Sequence, residues 1–189
     1  MIDLETLGLS ANCVIISIAA VKVDLCAPEF SIIDSFQRYI DITGQTNRVI
    51  EGGTVQFWIK QSKDQQQELL ATPRVGLHIA AKEFYKWYIG EDARPSAITE
   101  RNLATSVKPK TVWSKGASFD ISIMDHLYRG TSSPTPWHYR DGRDYRTIAE
   151  SLPTELPRPR VLEHLHSARE DAEAQAEHLW AIFRKWKLE

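Results

Sequence analysis

Asp3 and Glu5, Asp120, then His166 and Asp171 are the residues of this chain whose types and spacing could do chemistry together. The first two stand in Met1-Ile-Asp-Leu-Glu-Thr-Leu-Gly8, the last two in His166-Ser-Ala-Arg-Glu-Asp-Ala172. Carboxylates are hard oxygen ligands suited to divalent cations, and an imidazole titrating near neutrality can take a proton from water. Four of the first with one of the second is a donor set for metal-assisted hydrolysis, with a phosphodiester as the leading substrate.

Elements must bring these distant groups together. Side chains two apart on a strand share a face, so a strand over residues 1–6 aims Asp3 and Glu5 at one spot. By itself such a pair is weak: the chain holds 25 acidic residues, and a second Asp-x-Glu occurs at Asp171-Ala-Glu173. His166 and Asp171 are more telling. Five helical residues turn a side chain by about 500°, which leaves the two ~140° apart and unable to converge within one helix. Ser167 and Glu170 resolve this as a predicted capping box that starts the helix after His166. The histidine then stands free of the helix while Asp171 is fixed in its first turns. Asp120 follows Trp113-Ser-Lys-Gly-Ala-Ser-Phe119, a strand–turn–helix junction, where an acid also complements the helix dipole. Asp144 is a fifth candidate acid and reads as structural or as an N-cap. Phe57 and Trp58 fit either base stacking or core packing.

The layout that carries these residues begins with three strands in a meander: residues 1–6, the apolar run Val14 to Val23, and the alternation through Phe30, Ile32, Phe36 and Ile40. A polar helix is expected over Thr54 to Leu70, anchored by Phe57 and Trp58, and a second over Leu77 to Tyr88. Thr111 to Trp113 reads as a fourth strand and Phe119 to Tyr128 as a helix. A short fifth strand falls within Trp137 to Asp144, with a helix over Tyr145 to Leu152. Pro153, Pro157 and Pro159 mark an irregular connection, and a long helix runs from Ala168 to about Lys185. Such an order describes an α/β fold with a sheet of mixed direction.

Composition narrows the class. At 189 residues with 42% hydrophobic content, one domain over 1–189 with an ordinary core is expected. Cys13 and Cys26 have no zinc-site spacing and read as reduced thiols, buried or partly buried. No long apolar run or secretion-type leader is visible, so no membrane partner and a cytoplasmic location are expected. With 23 basic and 25 acidic side chains the net charge is −2, which disfavours coating a long duplex through its phosphates. A nucleic-acid substrate would be held by a short end.

Asp3-x-Glu5-Thr6, Asp120 and His166-x4-Asp171, in that order, resemble the DEDDh 3′–5′ exonucleases of the RNase H-like superfamily. Gly53-Thr-Val-Gln-Phe-Trp58, Trp113 to Asp120 and Arg143-Asp-Tyr-Arg-Thr147 are similar to the branch containing phage exodeoxyribonuclease A and short bacterial 3′–5′ exoribonucleases. The resemblance covers roughly residues 1–182. It implies an RNase H-like (DnaQ-like) fold, a five-stranded mixed sheet flanked by helices. It further implies two Mg²⁺ or Mn²⁺ ions on Asp3, Glu5, Asp120 and Asp171, with His166 as general base. Thr6, Leu7 and Gly8 would seat the 3′-terminal nucleotide, with Leu7 either a wedge beside the last base or a plain core leucine, and with Trp58, Ser114 and Phe119 also on the substrate side. The implied partners are single-stranded 3′ ends, RNA or DNA; a homodimer fits the spare aromatics Trp87, Trp137, Trp180 and Trp186, as does core packing. A non-catalytic nucleic-acid-binding module that keeps the fold is the competing reading.

Overall fold

The computed structural model describes residues 1–90, 111–131, 133–151 and 167–187. Strands β1 (Ile2–Thr6), β2 (Ile15–Val23) and β3 (Ile32–Ile40) form the expected meander, each antiparallel to the one before. A two-residue strand, β4 (Arg74–Val75), adds parallel to β3 through Tyr39 and Ile40 and makes the sheet mixed. β5 (Val112–Ser114) and β6 (Gly142–Asp144) pair parallel to each other in a separate two-stranded sheet. The single five-stranded sheet expected from sequence is therefore corrected to four strands plus two. A physical cause lies at the junction. β5 lies against β1, but the Leu4 N–H, on the β1 edge away from β2, is taken by the Asp120 carboxylate at 3.1 Å instead of a strand carbonyl.

Helices α1 (Gly52–Lys60), α2 (Lys63–Leu70), α3 (Leu77–Ile89), α4 (Asp120–Arg129), α5 (Tyr145–Ser151) and α6 (Ala168–Trp186) cover the strands. The one helix expected over 54–70 is two. Ser62 accepts from the Gln65 N–H while the Gln65 side chain accepts from the Ser62 N–H, a capping box that restarts the chain after Lys60. Ser167 does stand at the N-cap of α6, but its side chain makes no capping bond, so the box expected there with Glu170 is absent. Pro153, Pro157 and Pro159 lie outside the described residues.

β1 separates two layers. Ile2 and Leu4 point into the main core with Ile15, Ile18, Phe36 and Ile40 and with Ala81, Phe84, Ile123 and Tyr128 from α3 and α4. Asp3 and Glu5 point the other way, toward α6, which crosses β1 and β2. Small buried residues, Ala168, Ala172 and Ala176 on the helix with Ser17 and Ala19 on β2, let that helix approach the sheet closely. The pairing shifts after Glu5, with Glu5 opposite Ser17 and Thr6 opposite Ile15, so Ile16 is the extra residue of a bulge. That bulge re-aims the chain where β1 leaves the sheet. Among the described residues no helix is long and apolar enough to cross a membrane.

Candidate active site

One carboxylate oxygen from each of Asp3, Glu5 and Asp171 lies within 4.8 Å of the other two. β1 supplies the first pair from one face, and the first turns of α6 supply Asp171, whose N–H bonds back to the Ser167 carbonyl at 2.9 Å. Asp120 opens α4 beside them. One of its oxygens accepts the Leu4 N–H, and its charge is felt at Asp3. Ser114, fully buried at the end of β5, lies beside the Asp120 carboxyl and lowers its pKa, though short of full hydrogen-bond geometry. His166 lies outside the described residues, immediately before the N-cap of α6.

Electrostatics set how readily this cluster ionises. Burial, then the charges of Asp120 and Asp171, hold the Asp3 carboxyl well above the usual carboxylate range, against a hydrogen bond from Gln175 and the charge of Lys115. Burial pushes Asp120 up to about 7, against the Leu4 N–H and the more distant Arg146. A divalent cation among these acids would offset their mutual repulsion. An all-oxygen donor set at this separation fits Mg²⁺ or Mn²⁺.

Sequence reasoning did not find Gln175. One helical turn beyond Asp171, its side chain donates to Asp3 Oδ1 at 2.9 Å and fixes that carboxylate's rotation. Nothing local marks a glutamine 172 positions away as a partner of Asp3. The buried pair Tyr145–His178, with its 2.6 Å hydrogen bond, ties α5 to α6 farther along the same helix.

A cleft of about 420 Å³ opens beside Glu5, lined by Leu4, Glu5, Thr6, Leu9, Glu51, Gly53, Thr54, Phe57, Trp58 and Phe119. Of the residues expected on the substrate side, Thr6, Trp58 and Phe119 line it. The Thr6 hydroxyl donates to the Gly8 carbonyl at 2.7 Å, and the Thr6 carbonyl accepts the Trp58 indole N–H at 2.9 Å. Trp58, only 2% exposed, is thus a bolt between α1 and β1 as well as a wall. Phe57 meets it edge-on and is 40% exposed, the more open of the two rings. Leu7 does not line the cleft. It is 8% exposed and packs in a small core with Val14, Ile16 and Trp58. Leu9, 71% exposed, occupies the rim where a wedge was expected. Gly8 is wedged between neighbours: a Cβ there would come within 2.8 Å of the Cys13 Cβ and 3.0 Å of Glu51 Oε1. Asp144 holds the Ala117 and Thr147 N–H groups, each at 3.1 Å, and so fixes the β5–α4 turn and the start of α5. Cys13 is buried and Cys26 exposed.

An acidic cluster between a sheet strand and a helix, beside an apolar cleft, forms the candidate active site of a mixed α/β protein. Residues 1–183 match the family model described as the 3'-5' exoribonuclease Rv2179c-like domain, and the chain belongs to that family. A search among curated proteins gave no match.

Proposed function

We propose that this protein is a divalent-metal-dependent 3′–5′ exoribonuclease that removes nucleoside 5′-monophosphates from single-stranded ends, with the DEDDh residue set at its centre. One observation carries the reading: the oxygens of Asp3, Glu5 and Asp171 converge at the mouth of an apolar cleft, and Glu5 belongs to both. The scissile phosphate would lie over the acids while the terminal nucleoside enters the cleft.

Each group has a task. Asp3, Glu5 and Asp171, with Asp120 beside them, would hold the cations. When bound, such ions make water a stronger nucleophile and offset the charge that builds on the phosphate and the departing 3′ oxygen. His166, next to the helix that carries Asp171, accepts the proton of the attacking water. Gln175 keeps Asp3 from turning away. Phe57, Phe119 and Leu9 offer apolar surface to the last base, and Lys115 and Arg146 place positive charge near the acids for the phosphates. Family membership supports RNA over DNA as the substrate.

The test uses a 5′-labelled single-stranded RNA and the same sequence circularised, each with Mn²⁺. A ladder shortening from the 3′ end, with nucleoside 5′-monophosphates released and the circle intact, is the expected result. Cleavage of the circle, or release from the 5′ end, would overturn the proposal.

A further inference from the structure

Among the described residues, Glu51 is the one charged side chain lining the cleft apart from Glu5, and the acid cluster makes no use of it. It precedes α1, where its own N–H donates to the Leu7 carbonyl at 2.8 Å. Its side chain folds back over Gly8, and Oε1 accepts the N–H groups of Leu9 and Ser10, both at 3.0 Å. Those two amides, with the Ser10 hydroxyl, hold the carboxyl below the usual range, so it is ionised at neutral pH. No cation pairs with it among the described residues.

The two amides take two of the roughly four acceptor directions of a carboxylate, both at Oε1, which leaves capacity for a further donor. An ionised carboxylate only accepts. Base edges differ in the donors they offer, so a base contact would make degradation stall at some nucleotides. Sugar hydroxyls are present on every ribonucleotide, and the 2′-OH is the one that separates RNA from DNA.

We infer that Glu51 is the sugar-specificity residue of the cleft, accepting a hydrogen bond from the 2′-OH of the 3′-terminal ribonucleotide. The inference rests on the exoribonuclease reading and names what that site selects.

Glu51→Gln is the informative variant. A glutamine oxygen can keep both amide contacts, while the other position becomes a donor. Oligonucleotides identical except for a ribo or 2′-deoxy last nucleotide, made with each of the four bases, are digested with Mn²⁺. Wild type should favour the ribo end by at least about 10-fold in kcat/KM, the scale of one hydrogen bond to a charged group. In E51Q that ratio should fall toward one through loss on the ribo end, with an unchanged unfolding midpoint. A ratio that stays at the wild-type value, an equal loss on both ends, or a loss that follows the base would each overturn the inference. Binding of AMP and dAMP to the wild-type protein gives a second measure that needs neither turnover nor the variant. AMP should bind at least about 10-fold more tightly, and equal affinities would overturn the assignment. Absence of any hydrolysis would count against the exonuclease reading instead, and the nucleotide affinities would still decide the role of Glu51.

Discussion

Leu7 and Leu9, close together where β1 leaves the sheet, meet opposite surroundings, and substitution separates them. Leu7→Ala empties part of a packed cluster with Val14, Ile16 and Trp58 and should cost ~2–5 kcal/mol of stability in denaturant unfolding. Leu9→Ala removes an exposed rim contact: stability should stay within about 0.5 kcal/mol, while KM for single-stranded RNA rises. Gln175 is a positioning residue of a different kind. Gln175→Leu should weaken Mn²⁺ binding, measured by calorimetry, by ~10–100-fold, the usual effect of losing a group that orients a metal ligand. His166→Ala should abolish turnover and leave Mn²⁺ affinity near wild type, because a base is not a ligand. Asp3, Glu5 and Asp171 were legible because short-range rules fix them, strand alternation for one pair and a helix start for the other. Glu51 and Gln175 were not, since their roles come from contacts 41 and 172 positions away that no local pattern encodes.

The elements around the cleft are held by a few tight contacts, and these set the next expectations. Gly8 lets the turn after β1 pass between Cys13 and Glu51, so Gly8→Ala must push one of them aside. An overpacking cost of about 1–3 kcal/mol is expected, together with reduced turnover, because the Glu51 contacts to Leu9 and Ser10 move with it. A cleft of about 420 Å³ suits one nucleotide, so a paired end must open before its last base can enter. Single-stranded 3′ tails should be degraded at least about 10-fold faster than blunt duplex, the scale of a few kcal/mol of unstacking; equal rates would contradict this geometry. At this scale the meander and the helices α3, α4 and α6 were readable from periodicity. β4 was not, because two residues carry no period, and the α1–α2 break hides in a polar stretch where only the Ser62–Gln65 cap marks it. The split between sheets escaped as well, since it depends on a side chain, Asp120, taking a backbone donor of β1.

For the whole molecule, the acid cluster links metal, protons and stability. The folded carboxyls of Asp3 and Asp120 titrate above their ordinary value of 3.8, Asp120 near 7. Between those limits the folded metal-free protein binds more protons than the unfolded chain, so these two groups make it less stable as pH rises through that window. Cations bound there would displace the same protons. The rise in unfolding midpoint caused by Mn²⁺, taken as a difference at each pH, should therefore grow from pH 5 to pH 7.5; an increment that is flat or falls with pH would contradict the linkage. Asp3 and Glu5 stand near one end of the chain and Asp171 near the other, so their convergence is the point on which the functional account turns. Anomalous diffraction from crystals grown with Mn²⁺ tests it most directly. Peaks among the carboxylates of Asp3, Glu5 and Asp171, lost in Asp3→Asn, are what the account predicts. Crystals showing no manganese there, or manganese held elsewhere and unaffected by that substitution, would contradict it.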